Sequence, residues 1–344
     1  MAPIGIAILG SGNFVRNQHK PAVEACTNLS LKAVYSRSKA SASALFADSS
    51  NVDIYSDDSG AGHDLDALLA REDIHAVIIA LPIPLQPEII KKCLLASKHV
   101  LSEKPIAPTR ALALELIAWR HANISASTHW GVAENMRFQN GWRYAAETIR
   151  TLGRVLNFRV ETGNMLAPGG ATFETTWRKT PAYQGGYLLD GGVHYTAIIQ
   201  IMLGDDRVDR VAAFTTRLQE HLPPVDTVDA VWRTKAGVQG TFSCSFGTTV
   251  KKFDYVVVCE KGVVTATWDK VTVQRGAEVE VREFPEDGSG VKQEVAAFAE
   301  AIVKGAADER QSPELAYRDL DIIETMLRSG EQDGATLKIS GEFS

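Results

Sequence analysis

The apolar run Ile6-Ala7-Ile8-Leu9 passes directly into Gly10-Ser11-Gly12 and then into a segment of helical character, and this strand, turn and helix constrain the chain more than any other stretch of its 344 residues. A strand that is apolar without alternation belongs to a parallel sheet covered on both faces, because neither face meets water. Gly10 permits the tight turn, and Gly12 lets backbone N–H groups approach an anion at the positive end of the following helix. On the first strand of a βαβ unit such a turn points to a dinucleotide pyrophosphate, a plain tight βα turn being the other reading. The third glycine of the usual fingerprint is absent: Val15 stands in its place, which leaves the pitch of the opening helix open.

The same alternation continues through the first third of the chain. Strands are expected at residues 4–9, 31–35, 76–81 and 99–101, and helices at 21–25, 40–47, 64–71, 87–96 and 109–121. A βαβα order implies a doubly wound parallel sheet. Beyond a linking helix at 138–151 the texture changes to β-branched segments at 155–162, 208–217, 227–234, 239–246, 254–258, 263–268, 271–274 and 279–284. Such spacing indicates an antiparallel or mixed sheet. Helices at 292–303 and 313–329 and a short apolar tail at 336–339 close the chain. At roughly 150 residues per domain the length suits two domains, expected at 1–122 and 123–344, with the final helices free to pack back on the first.

Charge and composition narrow the partners. Lys+Arg at 36 against Asp+Glu at 42 gives −6, which argues against a surface that coats phosphates of nucleic acid and for a small-molecule ligand. The longest apolar stretch, residues 76–85, is interrupted by Pro82 and Pro84 and falls short of the ~18 residues of a membrane span. Cys26, Cys93, Cys244 and Cys259 form no Cys-x-x-Cys, so they read as thiols of a reducing compartment, with no metal site expected. The first residues lack a basic and apolar leader and the last four carry no lipidation or peroxisomal signal, so the expected compartment is the cytosol.

Three constellations carry chemistry. At the end of the second strand, where an NAD site offers a carboxylate to the ribose, the chain reads Tyr35-Ser36-Arg37-Ser38. A guanidinium flanked by hydroxyls suits a 2′-phosphate, so NADP is expected over NAD. Leu101-Ser102-Glu103-Lys104-Pro105 places Glu and Lys on the carboxyl edge of the sheet, where open α/β sheets bind ligands. Gly185-Gly186-Tyr187-Leu188-Leu189-Asp190-Gly191-Gly192-Val193-His194-Tyr195 enters a helical run, and a helix beginning near Asp190 puts Asp190 and His194 one turn apart on one face. A carboxylate there can steer an imidazole suited to proton transfer near neutrality.

Together with Ala133-Glu134-Asn135-Met136-Arg137-Phe138 and Trp177-Arg178, these motifs resemble the Gfo/Idh/MocA family of NAD(P)-dependent oxidoreductases over nearly the whole chain. The resemblance implies an N-terminal Rossmann doubly wound parallel sheet and a C-terminal α/β domain on a large open, mainly antiparallel sheet. That sheet is often the face of a dimer, so a homodimer or dimer of dimers is expected. It further implies a nicotinamide site drawn from Gly10, Gly12, Asn13, Phe14, Ser36, Arg37, Ser38, Leu81, Pro82, Gln86, Glu103, Lys104 and Arg178. Lys104, Asp190 and His194 are the implied catalytic residues: His194 as the base for the hydroxyl proton, Lys104 stabilising the developing alkoxide, Asp190 orienting substrate and imidazole. Besides Val15, two positions depart from the pattern: Gln86 where relatives commonly have His, and Ala197 where Asp is often found.

The implied reaction moves hydride between nicotinamide and the CH–OH or C=O carbon of a sugar, polyol, diol or related small carbonyl compound. Residues 166–172 and the aromatics Trp130, Phe173, Trp177, Tyr183 and Tyr187 are expected to shape the substrate site, the five aromatics reading equally as a domain-interface core. Reduction of an imine or enone, and a non-catalytic dinucleotide-binding regulator such as the family's galactose-pathway repressor, remain as other readings of the same residues.

Overall fold

The computed structural model describes residues 2–46, 51–170 and 173–343. Ala47, at the end of the expected second helix, and Ala171 and Thr172, in the expected substrate-shaping stretch, lie outside them. The chain divides into two compact units, Met1–Asn135 with Ser289–Ala316, and Met136–Gly288 with Tyr317–Ser344.

In the first unit the strands are β1 (Ile4–Leu9), β2 (Leu29–Ser36), β3 (Asp53–Ser56), β4 (Ala76–Ile79), β5 (His99–Glu103) and β6 (Trp130–Ala133). They form a six-stranded sheet in the order β3-β2-β1-β4-β5-β6, every neighbour parallel. The helices between them are α1 (Lys20–Ala25), α2 (Lys39–Phe46), α3 (Leu65–Leu69), α4 (Gln86–Leu95) and α5 (Arg110–Asn123). Ile6, Ile8, Val34, Ile78 and Leu101 are wholly buried, as strands covered on both faces require. The strand order reverses between β1 and β4, and the crevice at the carboxyl ends of those two strands is where such sheets take ligands.

The sheet differs from the sequence expectation in two strands. β3 has mixed exposure and β6 has four residues, so neither offers a periodic run long enough to read. Because β6 pairs with β5, the parallel sheet extends past residue 122 to Ala133. The missing third glycine also has its answer here. The helix opens as a π-turn over Val15–His19, closed by Lys20 N–H donating to Val15 C=O, before α1 begins.

The second unit starts with α6 (Asn140–Thr151) and β7 (Val155–Gly163), followed by the short α7 (Thr176–Lys179) and by α8 (Gly186–Leu203). Then come β8 (Val208–Thr216), β9 (Thr227–Thr234), β10 (Gln239–Ser245), β11 (Lys252–Cys259), β12 (Gly262–Ala266), β13 (Lys270–Arg275) and β14 (Glu278–Glu283). The helix α9 (Val291–Lys304) belongs to the first unit, where it packs on α1 and β6. Last are α10 (Pro313–Glu331) and β15 (Leu337–Lys338).

These strands form a nine-stranded sheet, β14-β13-β12-β11-β7-β10-β9-β8-β15, in which β7 and β10 run parallel and the remaining neighbours antiparallel. The helices α6 and α8 pack on the sheet, and Phe158, Trp232, Phe242 and Tyr255 are buried. β9 alternates buried and exposed residues along its length, the mark of a sheet with one solvated face. On that outer face Phe214 and Val231 are 62% and 55% exposed. Among the described residues no helix is long and apolar enough to cross a membrane.

Candidate active site

At the carboxyl edge of the first unit, Gly10 has φ +128°, and a Cβ there would lie 2.3 Å from the Ala80 carbonyl oxygen. No side chain fits, because the Gly10 amide is also drawn to the Tyr35 carbonyl at 2.8 Å. Gly12 is the opposite case: its Cβ position meets nothing within 4 Å. Gly12, Asn13 and Phe14 are exposed, so the turn presents bare backbone to solvent. Leu81 and Pro82 lie partly exposed beyond β4, and Gln86 opens α4. The Gln86 side chain is 1% exposed, yet neither its Nε2 nor its Oε1 has a hydrogen-bond partner among the described residues. Leaving a buried amide unsatisfied costs about 1–3 kcal/mol, so a group that donates and accepts there would be stabilised. An open glycine turn and an orphaned amide beside the strand-order reversal fit a dinucleotide.

The ribose end of the edge is built from β2. Ser36 is buried and accepts from the Ser11 hydroxyl at 2.9 Å, while Arg37 is exposed. Ser38 caps α2, taking the Ser41 amide at 3.3 Å. Sequence reasoning missed the acidic pair that follows β3. The Tyr35 hydroxyl donates to Asp57 at 2.6 Å; burial, aided by Asp57, pushes the phenol up. Asp58 accepts from the Ser56 hydroxyl and the Lys39 amide, which hold its carboxyl below the usual range. The signal was Asp57-Asp58 itself, hidden because β3 was not expected.

Glu103 ends β5 and Lys104 follows it, half-buried, with a cis Lys104–Pro105 peptide. The Glu103 carboxylate lies 2.7 Å from Nε2 of His19, an imidazole of the π-turn that is wholly buried. Sequence reasoning did not single out His19. Trp130, expected either near substrate or in an interface core, is part of the first unit's sheet: it is buried in β6 and its indole donates to Ser102 at 3.0 Å.

In the second unit Asp190 and His194 both lie on α8, one turn apart, Asp190 buried and His194 half-buried. The helix starts four residues before Asp190, because Gly185 at φ +83° turns the chain into it. Arg178 donates from Nε to Asp190 Oδ2 at 2.7 Å, and its guanidinium lies 4.0 Å from the centre of the Trp177 ring. The Tyr183 and Tyr187 hydroxyls are buried without a hydrogen-bond partner among the described residues. Burial pushes both phenols up, with Asp190 acting in the same direction. Phe173 packs edge-on to His221 at 5.6 Å, and His221 Nε2 reaches the Leu166 carbonyl at 2.8 Å. Phenols, a guanidinium–carboxylate pair and an imidazole on one stretch of chain can bind oxygen atoms and move a proton.

Comparison with known proteins adds an independent line. Residues 4–123 match the Gfo/Idh/MocA model described as an oxidoreductase family with an NAD-binding Rossmann fold, and residues 129–265 match that family's C-terminal domain. A dehydrogenase of Fusarium mangiferae is 41% identical over 345 residues, 96% of this chain and 98% of that one. An oxidoreductase from Thermotoga maritima has the same fold, with TM-score 0.88 at 24% identity over 98% of this chain and 99% of that chain. A 3-ketoreductase from Actinomadura kijaniata, solved with NADP, superposes with TM-score 0.79 at 22% identity over 95% and 98% of the two chains.

Proposed function

The chain belongs to the Gfo/Idh/MocA family of oxidoreductases, and on that premise we propose that it is an NADP-dependent enzyme acting on the CH–OH or C=O carbon of a sugar, polyol, diol or related small carbonyl compound. The observation that carries the reading is the edge beside β1 and β4, where the bare turn at Gly12 and the orphaned Gln86 amide ask for a ligand with a pyrophosphate and a carboxamide. Gly10, Gly12, Asn13 and Phe14 would receive the pyrophosphate, Gln86 the carboxamide, and Ser36, Arg37 and Ser38 the 2′-phosphate. The bound nicotinamide supplies the hydride chemistry.

The rest of the reaction is proton management by the chain. In the oxidising direction His194 takes the hydroxyl proton, and Lys104 stabilises the negative charge that develops on the same oxygen. Asp190, tied to Arg178, orients the substrate and the imidazole. In the reducing direction the roles reverse, His194 returning the proton to the carbonyl oxygen. The structural likeness to an NADP-bound ketoreductase supports both the cofactor and the carbonyl chemistry. A homodimer through the outer face of the nine-stranded sheet completes the reading, supported by the exposed Phe214 and Val231.

The test is a screen of aldoses, inositols, trans-dihydrodiols and dicarbonyls with NADP, NADPH, NAD and NADH, following absorbance of the reduced nicotinamide. Turnover faster with the phosphorylated cofactor is the expected result. Failure to bind any of the four dinucleotides would overturn the reading.

A further inference from the structure

His19 is a buried titratable group to which the reaction above gives no role. Its ring is wholly buried, Nε2 lies 2.7 Å from Glu103 Oε1, and Nδ1 is buried with no hydrogen-bond partner among the described residues. An ionised carboxylate can only accept, so Nε2 carries the proton of this bond.

Stability does not account for the arrangement. Apolar residues of similar volume commonly serve a core as well as a buried polar pair, and the bare Nδ1 adds an unsatisfied atom. The local backbone is also unusual. His19 is the last residue of the π-turn Val15–His19, and single π-turns cluster at functional sites. The extra residue of that turn brings the ring to the end of β5, 84 residues further along the chain. The turn is tied down beside it: Gln18 Oε1 accepts from the Ser289 hydroxyl at 2.5 Å, and Asn135 Nδ2 donates to the Ser289 carbonyl at 2.5 Å. The exposed Phe14 ring meets the His19 ring edge-to-face, with centroids 5.1 Å apart.

We propose that His19 is a positioning residue of the reaction, holding the Glu103 carboxylate and through it the adjoining Lys104, and so coupling the dinucleotide turn to the reacting end of the site. The proposal rests on the assignment of Lys104 above. The imidazole belongs to the segment that starts at the bare glycine turn, and Glu103 directly precedes Lys104, so one hydrogen bond joins the two ends. His19 touches neither cofactor nor substrate in this role.

Competitive acetylation of the apo protein with acetic anhydride, read by mass spectrometry with the other lysines as internal references, tests the coupling without substrate. Lys104 labelling is expected to rise roughly 3–10-fold in His19→Phe and in Glu103→Ala, and no further in the double variant, because both remove the same contact. His19→Gln, whose amide can still donate, is expected to stay within about twofold of the native protein. Unchanged Lys104 labelling in His19→Phe, effects that multiply in the double variant, or a general rise across all lysines would overturn the proposal. Should His19→Phe fail to fold, 15N NMR of the native imidazole decides: a protonated Nε2 and a bare Nδ1 are expected, and the opposite tautomer overturns the bond. Normal turnover of Lys104→Met would instead remove the catalytic reading of Lys104 and leave the labelling result standing, so the two failures are separable.

Discussion

The Nε of Arg178 lies 2.7 Å from Oδ2 of Asp190, so the carboxylate that sequence spacing pairs with His194 also holds a guanidinium from the short helix α7. Asp190 is thereby fixed from two directions, by its place on α8 and by a neighbour twelve residues earlier in the chain. Arg178 was expected among the residues that hold the cofactor; its own geometry ties it to Asp190 and to the face of Trp177.

Replacing that guanidinium should be costly. In Arg178→Ala the buried Asp190 carboxylate loses a charged donor, which should lower stability by about 1–3 kcal/mol and depress turnover in the folded fraction. Arg178→Lys keeps the charge but loses the planar fork and the stacking on Trp177, so it should recover stability better than turnover. Urea unfolding and steady-state kinetics on the same samples are the check.

NADP should bind in preference to NAD, because Ser36, Arg37 and Ser38 stand where an acidic ribose clamp would be. Arg37→Ala should weaken NADP by about 1.5–3 kcal/mol, the scale of hydrogen bonds to a charged group, and leave NAD nearly untouched. Calorimetric titration of both dinucleotides measures it; tighter binding of NAD by the native protein would sink the preference.

His194→Ala should lower kcat by roughly 10²–10⁴-fold, the usual worth of general acid–base catalysis, with NADP affinity within a few-fold of native. Lys104→Met should cost at least as much, and Asp190→Asn should fall between native and His194→Ala. If His194 only packs α8, the alanine variant melts earlier and turns over normally, so kcat and Tm must be read together.

Stability should fall in mild acid. Burial pushes His99 down to about 4, and its Nδ1 accepts from the His129 amide at 3.0 Å, a bond that protonation of that nitrogen breaks. The folded pKa is below the unfolded value of about 6.5, so the contribution is complete above pH 6.5 and is lost as the unfolded chain takes up the proton between there and pH 4. The loss should be on the order of 2–3 kcal/mol, with His129, also lowered by burial, acting in the same direction. Urea midpoints at pH 7.5 and 5 measure the slope, and His99→Asn, which keeps an acceptor, should flatten it.

Association should run through the outer face of the nine-stranded sheet. Sedimentation at micromolar concentration should give a dimer or larger, and a charge at Phe214 or Val231 should weaken it. A clean monomer would remove the claim.

The sequence by itself determined what depends on neighbours along the chain. The unbroken apolar β1 and its glycine turn read correctly because burial on both faces and a tight turn each demand particular residues in a row. The β-branched run that becomes β9 and the glycine-rich entry to α8 were legible as local composition, although the helix starts at Gly186 rather than near Asp190, and Asp190 and His194 share a helix face through spacing alone. What only the tertiary structure decided are the pairings between segments that have no local period in common. The strand β6 exists because β5 offers it hydrogen bonds, although four residues carry too little pattern to announce it. The Gln86 amide is orphaned only once the elements around it close over it. His19 meets Glu103 across 84 residues because parallel crossovers bring the start of one helix and the end of a distant strand to the same edge, and no spacing rule along the chain encodes that meeting.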